Sequence, residues 1–203
     1  LARVNGILFF RASDGATGAR FGVSVAVSGD TAVVGAAGDD HAGGADAGSA
    51  YVFVQGGTSW SEQQKITASD AEESDAFGWS VALSGDTAAV GAPGDSHVNG
   101  SFLFEGSAYV FVRSGTSWSE QQKLTASDAA AGDDFGVSVA VSGHRAVVGA
   151  DRDVHAGGFT EQGSAYVFVQ SGTSWSEQQK LIASDGAERS EEHTSELQSL
   201  AYL

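Results

Sequence analysis

Three glycine-rich loops of the sequence each carry an aspartate and a histidine two residues apart. In every loop the histidine follows the glycine of a short Gly-Ala segment by six residues. Imidazole and carboxylate groups both bind zinc and related ions, so the pattern predicts a metal site if loops from separate units converge. The alternative is that each histidine bonds to its own loop or to water. The residues concerned are Asp39, His41, Asp95, His97, Asp153 and His155.

Apolar side chains in the same loops form a second group of candidate functional residues. The middle loop contains Phe102, Leu103 and Phe104 where the first loop is polar, and Phe159 holds a comparable place in the third loop. Exposed apolar residues rimmed by acidic ones are typical of a contact with a partner. The alternative is that these side chains pack on a neighbouring unit.

Catalysis usually needs one asymmetric group of residues, and the sequence offers none that is complete. The units also differ at His144-Arg145 and at Asp151-Arg152. No serine or cysteine nucleophile comes with a positioned base, and the histidines recur in all three units. The sequence therefore predicts a protein that is not an enzyme. A glycosidase with paired carboxylates stays open as an alternative, because acidic residues are plentiful.

The segments expected to form the elements that position these loops recur three times in the sequence. A nearly identical segment begins at Gly48, Gly106 and Gly163, with the form GSAYVFV followed by SWSEQQK. Phe-Gly pairs begin at residues 21, 77 and 135, with spacings of 56 and 58 residues. A period of this size indicates stacked units that cannot bury their apolar surface alone.

Each unit contains four strand-like runs separated by turn residues, which in the first unit are 22–28, 31–36, 49–55 and 59–67. The third run is apolar on both faces, so both faces must be covered. The second run has small residues, typical of an inner strand. The fourth run is polar, and its lysines, Lys65, Lys123 and Lys180, are predicted to protect an exposed outer edge. The sequence therefore predicts an all-β fold, a β-propeller fragment of about three four-stranded antiparallel blades. A β-sandwich is the alternative.

The predicted domain organisation follows the repeat. Residues 1–20 are expected to be the outer strand and loop of a preceding blade, and the three blades to be 21–76, 77–134 and 135–188. Residues 189–203 read like a translated sequencing adapter and are left out of the fold prediction. The chain starts at Leu1 and contains no methionine, so we expect its natural start, with any signal peptide, to lie upstream. Three blades cannot close a ring, which predicts an open wedge and self-association through an uncovered blade face.

Charge and composition exclude several kinds of partner. The net charge of -16 argues against binding to nucleic acid or to an acidic membrane. The apolar runs are too short to span a bilayer, and the absence of cysteine excludes disulfides and thiolate metal sites. Most acidic residues lie in the two sets of loops that emerge on one side of each meander. They predict a strongly negative loop face, which is either simply solvated or attracts a divalent cation or a basic partner.

The segment FGVSVAVSGDTAVVGAAGDD, followed by GSAYVF, resembles the FG-GAP repeat, the blade unit of integrin α-subunit heads and of many bacterial extracellular proteins. The matching motifs are Phe21-Gly22, Phe77-Gly78 and Phe135-Gly136 for FG, and Gly91-Ala92-Pro93 for GAP. The resemblance implies a propeller that lies outside the cell or on its surface and serves as a non-catalytic scaffold for adhesion or for binding a protein or glycan ligand.

Calcium-binding members of that family carry a DxDxDG loop between the first two strands. Here the corresponding segment is only SGDT in two units and SGHR in the third. These segments contain too few oxygen ligands to bind calcium. No cofactor is therefore expected beyond a divalent cation bound elsewhere. The alternative function is a propeller-type glycoside hydrolase or lyase whose catalytic residues lie in blades outside this sequence.

Overall fold

A computed structural model describes residues 2–4, 7–9, 12–96, 103–154 and 162–183. Over these residues the protein consists of strands, turns and loops, arranged in three four-stranded antiparallel sheets and one two-stranded sheet. The predicted all-β fold of three four-stranded blades is confirmed. The small sheet pairs β1 (Ala2–Val4) with β2 (Ile7–Phe9). The assignment of residues 1–20 to a preceding blade stays a prediction, and residues 189–203 lie outside the described part of the chain.

Each blade is a meander in which the strands pair in chain order. Blade 1 contains β3 (Phe21–Ser28), β4 (Thr31–Ala36), β5 (Ser49–Gly56) and β6 (Ser59–Ile66). Blade 2 contains β7 (Ser80–Ser84), β8 (Thr87–Ala92), β9 (Ser107–Ser114) and β10 (Ser117–Leu124). Blade 3 contains β11 (Ser138–Ser142), β12 (Arg145–Ala150), β13 (Ser164–Ser171) and β14 (Ser174–Leu181). The four runs predicted in the first unit agree with the observed strands to within one residue at every end.

The core lies between the blades, as the two-sided apolar pattern of the third strand predicts. Tyr51, Val52 and Phe53 on β5 are all buried, although their side chains alternate between the two faces of the sheet. Phe77, which opens the second unit, is fully buried and meets the rings of Tyr109 and Phe111 edge-on, with centroids 5.5 and 5.9 Å away. It belongs to one cluster with residues of blade 1, so each blade completes the core of the one before it.

Glycine on the second strand allows neighbouring blades to approach closely. A Cβ atom on Gly35 would lie 1.9 Å from the carbonyl oxygen of Gly78 in the next blade, and Gly91 has the same relation to Gly136. The hydroxyl of Ser80 donates to the Gly136 carbonyl at 2.7 Å. The small residues of this strand therefore mark the place where the Phe-Gly backbone of the next blade crosses.

Polar residues of the outer strand join one blade to the next. The side chain of Gln64 donates to the carbonyl of Trp118 at 2.8 Å and accepts from its amide at 2.7 Å. Gln122 bonds to Trp175 in the same two ways, at 2.8 and 2.7 Å. These contacts explain why the glutamine and the tryptophan of the SWSEQQK segments recur, because they serve the same joint between blades.

The sheets do not close into a ring, and apolar side chains are exposed at both ends of the stack. Val25 and Val27 on β3 are 69% and 66% exposed, whereas Val81, the counterpart of Val25 in blade 2, is 9% exposed. At the other end Leu181 is 42% exposed, against 2% for Leu124 in blade 2. The predicted open wedge is confirmed. The described part of the chain contains no helix that could cross a membrane.

Candidate functional site

Each blade carries a lysine that binds two aspartates below the loop face. In blade 1 the Nζ atom of Lys65 lies 2.6 Å from Asp14 Oδ2 and 2.7 Å from Asp39 Oδ2. The hydroxyl of Tyr51 donates to Asp14 at 2.7 Å, and that of Ser49 donates to Asp39 at 2.5 Å. As predicted, Lys65 lies on the outer edge strand of its sheet, and its protection of that edge stays a prediction. Its ammonium also compensates carboxylates, one of them buried, that would be costly alone.

The same lysine cluster recurs in the other two blades. Lys123 lies 2.7 Å from both Asp70 and Asp95, and Lys180 lies 2.7 Å from Asp128 and 2.5 Å from Asp153. Tyr109 and Tyr166 take the place of Tyr51, each donating to the more exposed aspartate at 2.8 Å. The cluster is thus a repeated structural unit, in which Lys123 and Lys180 take the role of Lys65.

Hydrogen bonds keep the more exposed aspartates of these clusters ionised. Those from Lys65 and Tyr51 lower the pKa of Asp14. Burial acts to raise the pKa of Asp70 and of Asp128, but the bonds from the lysine and the tyrosine outweigh it and lower both pKa values. A lysine ammonium therefore already occupies the position between paired carboxylates that a metal cation would need.

Blades 2 and 3 add a third, buried carboxylate near the cluster. Asp75 is 2% exposed and accepts a hydrogen bond from the Glu72 amide at 2.7 Å, and Asp133 accepts from the Ala130 amide at 2.7 Å. Burial and, to a smaller extent, the nearby charge of Asp95 raise the pKa of Asp75 to about 7, although the Glu72 amide bond acts to lower it. Burial also raises the pKa of Asp133. The first unit has the buried Ala19 at the corresponding position.

Of the three histidines in the predicted metal site, His41 is among the described residues. His41 Nε2 lies 2.9 Å from the carbonyl oxygen of Gly48, and its Nδ1 accepts from the Gly43 amide at 3.0 Å. His97 and His155 lie outside the described residues. Asp39, Asp95 and Asp153 belong to the lysine clusters. Among the residues that the structure describes, no three histidine, aspartate or glutamate side chains form a group that could hold a metal ion. Convergence of the three histidines stays a prediction.

Part of the predicted negative loop face lies below the surface, because six of its carboxylates are buried. The buried acidic residues among those described are Asp39, Asp75, Asp95, Glu105, Asp133 and Asp153. Their negative charges lie inside the loops, and those of Asp39, Asp95 and Asp153 are compensated by lysine ammonium groups. The acidic surface is therefore weaker than the residue count alone predicts.

A cleft of about 380 Å³ lies between blades 2 and 3 on the loop face. We refer to it below as the aromatic cleft. Its volume falls in the lower part of the range of ligand sites, about 300–1,000 Å³. The side chains that distinguish it are Trp79, Pro93, Phe104, Val137, Asp151 and Arg152.

Three departures from the repeat meet in the aromatic cleft. Trp79 stands where the other units have Val23 and Val137. Phe104 stands where the first unit has Asp46. The pair Asp151-Arg152 replaces Ala37-Gly38 of the first unit and Pro93-Gly94 of the second. These residues are far apart in the sequence and become neighbours only because blade 3 packs on blade 2.

The loop backbone holds Phe104 in an unusual conformation. Its φ angle is +52°, a region that is costly for a bulky side chain, and Asp46 adopts +51° at the same position of the first unit. The hydroxyl of Ser96 accepts from the amides of Leu103 and Phe104 at 2.9 and 3.0 Å. The ring is 39% exposed. A strained, exposed aromatic residue on a fixed loop is typical of a functional position.

Charged groups flank the second aromatic ring of the cleft. The guanidinium carbon of Arg20 lies over the ring of Trp79, 6.0 Å from its centroid, and Trp79 is 37% exposed. Arg152 lies 3.1 Å from Asp134 Oδ2. The cleft thus combines two exposed aromatic rings with arginine and aspartate groups that can exchange hydrogen bonds with a ligand.

Of the four predicted partner-binding residues, the structure places Phe104 in the aromatic cleft. Leu103 is half-buried beside it, and Phe102 and Phe159 lie outside the described residues. Contact with a partner stays a prediction for all four. Trp79 was missed by the sequence reasoning, although the signal was present, since it is a tryptophan in a position that is valine in the other two units.

Comparison with known proteins agrees with the repeat and the fold. The family model of the FG-GAP repeat matches residues 10–53, 60–111 and 118–168, which is well over half of the chain. The second and third matches each start in the outer strand of one blade and end in the third strand of the next. A search of curated proteins returned no match to the chain. With three matched repeats and three four-stranded blades, the chain belongs to the FG-GAP repeat family.

Proposed function

We propose that the protein is a non-catalytic binding scaffold, outside the cell or on its surface, that takes its ligand in the aromatic cleft. The observation that carries the proposal is the convergence of Trp79, Phe104 and Asp151-Arg152 in one place. The fold does not require these residues, because the first unit forms the same blade with valine, aspartate and an Ala-Gly pair at the corresponding positions. Departures that the fold does not need, gathered at one exposed cleft, are best explained by a ligand.

Two further points support a binding role. FG-GAP repeats generally form non-catalytic scaffolds and are typically extracellular. In addition, the buried carboxylates Asp39, Asp95 and Asp153 are engaged by lysine rather than presented to a substrate. A protein or a glycan is the expected class of ligand.

The test compares the wild type with a variant in which the cleft is returned to the sequence of the first unit. This variant carries Trp79→Val, Phe104→Asp and Arg152→Gly, and all three replacements are residues that the first unit uses at the same positions. The matched control carries His144→Asp and Arg145→Thr, which return another departure of blade 3, at the start of β12, to the first-unit sequence.

The three proteins are passed over immobilised probes: neutral and acidic oligosaccharides, and basic and acidic peptides. We expect the wild type and the control to bind at least one probe and the cleft variant to lose it, with unchanged circular dichroism in all three. Binding that survives in the cleft variant, or a wild type that binds no probe, would overturn the proposed function.

A further inference from the structure

We propose that the ligand of the aromatic cleft is a neutral carbohydrate, an inference that rests on the proposed function and names its ligand class. Sugar rings present faces of C–H groups that pack on aromatic rings, together with hydroxyls that both donate and accept hydrogen bonds. Trp79 and Phe104 supply two partly exposed rings, and Asp151 and Arg152 supply an acceptor and a donor in the same cleft.

The charges around the cleft disfavour a basic ligand. The aromatic face of Trp79 is already approached by the guanidinium of Arg20, 6.0 Å from the ring centroid. A lysine or arginine of a peptide that stacked on Trp79 would place a second cation beside the first. The usual attraction between a cation and a tryptophan ring is therefore already used within the protein.

An acidic ligand is disfavoured for the opposite reason. The guanidinium of Arg152 is paired with Asp134 at 3.1 Å, and the acidic residue Asp151 lines the same cleft. The whole chain carries a net charge of -16, which repels an anion at long range. A neutral ligand with many hydroxyls avoids both penalties and still uses the charged groups as hydrogen-bond partners.

The size of the cleft and the rigidity of its walls fit a short oligosaccharide segment. A volume of about 380 Å³ is small for a folded protein partner but adequate for the end of a sugar chain. The loop at Phe104 is fixed by the hydrogen bonds that the Leu103 and Phe104 amides donate to Ser96. Trp79 directly precedes β7, and its amide donates to the Ala76 carbonyl at 3.1 Å. Little ordering of the protein is then needed when the ligand binds.

The experiment titrates the full chain with neutral oligosaccharides built from hexoses, pentoses or N-acetylhexosamines, and follows tryptophan fluorescence and calorimetric heat. Uronic-acid oligosaccharides and oligolysine serve as charged probes. We expect saturable binding of at least one neutral oligosaccharide that weakens about tenfold or more in Trp79→Val, the loss of roughly one stacking contact. The variant Trp79→Phe, which keeps a ring, should retain most of the binding. The variant Arg145→Thr should match the wild type.

The outcomes separate this inference from the proposed function. Suppose that only oligolysine or uronic-acid oligosaccharides bind and that the cleft variant loses this binding. The cleft is then a binding site whose ligand is charged, so this inference is overturned and the proposed function stands. If neutral oligosaccharides bind equally to the wild type and to Trp79→Val, the inference is likewise overturned. If no probe distinguishes the wild type from the cleft variant, the proposed function falls with it.

Discussion

Glu105 is a buried side chain, 1% exposed, whose Oε2 atom has no hydrogen-bond partner among the described residues. The other units have Ala47 and Gln162 at this position, so the fold does not need a carboxylate there. A neutral amide, as used by the third unit, carries no charge to desolvate, whereas a buried carboxylate without a partner on one oxygen does. We therefore expect Glu105→Gln to raise the free energy of unfolding by about 1 kcal/mol. Urea denaturation at neutral pH measures it.

Glu120 provides the contrast for this prediction. Its carboxylate accepts from both the amide and the hydroxyl of Ser69 at 2.9 Å, across the joint between blades 1 and 2. Glu120→Gln should therefore lower the free energy of unfolding by about 1 kcal/mol. A Glu105→Gln variant that loses as much stability as Glu120→Gln would show that the Glu105 carboxylate is satisfied in solution.

Asp75 predicts a specific dependence of stability on pH. Burial raises its pKa from 3.8 to about 7, so between these values the folded state keeps a proton that the unfolded state has released. Raising the pH through this window therefore lowers the free energy of unfolding. The variant Asp75→Asn, which can still accept from the Glu72 amide, should match the wild type near pH 4 and be more stable at pH 8, by an amount on the order of 2–4 kcal/mol.

Thermal or urea unfolding at several pH values tests this expectation. Asp14, Asp70 and Asp128 act in the opposite sense, since their lowered pKa values give stability that is lost as the pH falls below about 4. The control Asp30→Asn changes an exposed turn residue and measures the effect of removing one surface charge. Parallel pH profiles of Asp75→Asn and wild type would refute the prediction.

At the scale of the strands, the sequence predicts more than it does at the scale of contacts. Strand bounds, strand order and the inner position of the glycine follow from alternation, turn residues and side-chain size, which are local properties. The role of Lys123 does not follow from local properties. Its partner Asp70 lies 53 residues earlier in the chain and is brought close by the packing of blade 2 on blade 1. The aromatic cleft could be predicted only in part. Phe104 and Asp151-Arg152 are recognisable in the sequence as departures from the repeat, but their proximity to Trp79 depends on how the blades pack.

The crossing of neighbouring blades gives a prediction for the second strand. Gly91→Ala would bring a Cβ within 1.9 Å of the Gly136 carbonyl oxygen, a backbone atom that cannot move alone. We expect it to lower the free energy of unfolding by about 3 kcal/mol or more. Gly149→Ala, the same change in blade 3, meets only the hydroxyl of Ser138, which can rotate away, and should stay within about 1 kcal/mol of the wild type. Urea denaturation measures the free energy of unfolding of both variants. Equal losses would contradict a close approach of the Gly136 backbone to Gly91.

At the scale of the whole molecule, every blade depends on a neighbour. The Phe-Gly segment of one blade fills the core of the previous blade, and the outer strands are joined by the glutamine and tryptophan bonds. Stability should therefore accumulate from one joint to the next, as in other repeat proteins. The two ends of the stack have the same apolar surfaces without that cover, which makes them the surfaces most prone to association.

The exposed valines of β3 allow this association to be tested. We expect the mass of the wild type, measured by sedimentation at increasing concentration, to rise above that of the monomer, and more so at high salt, because salt screens the repulsion between chains of charge -16. Val25→Asp with Val27→Asp places charge on side chains that are 69% and 66% exposed, so it should reduce the association without unfolding blade 1. A control with Thr58→Asp and Thr116→Asp adds the same charge in exposed turns and should associate as the wild type does. If the wild type stays monomeric at every concentration and salt level, its open blade faces are not association surfaces.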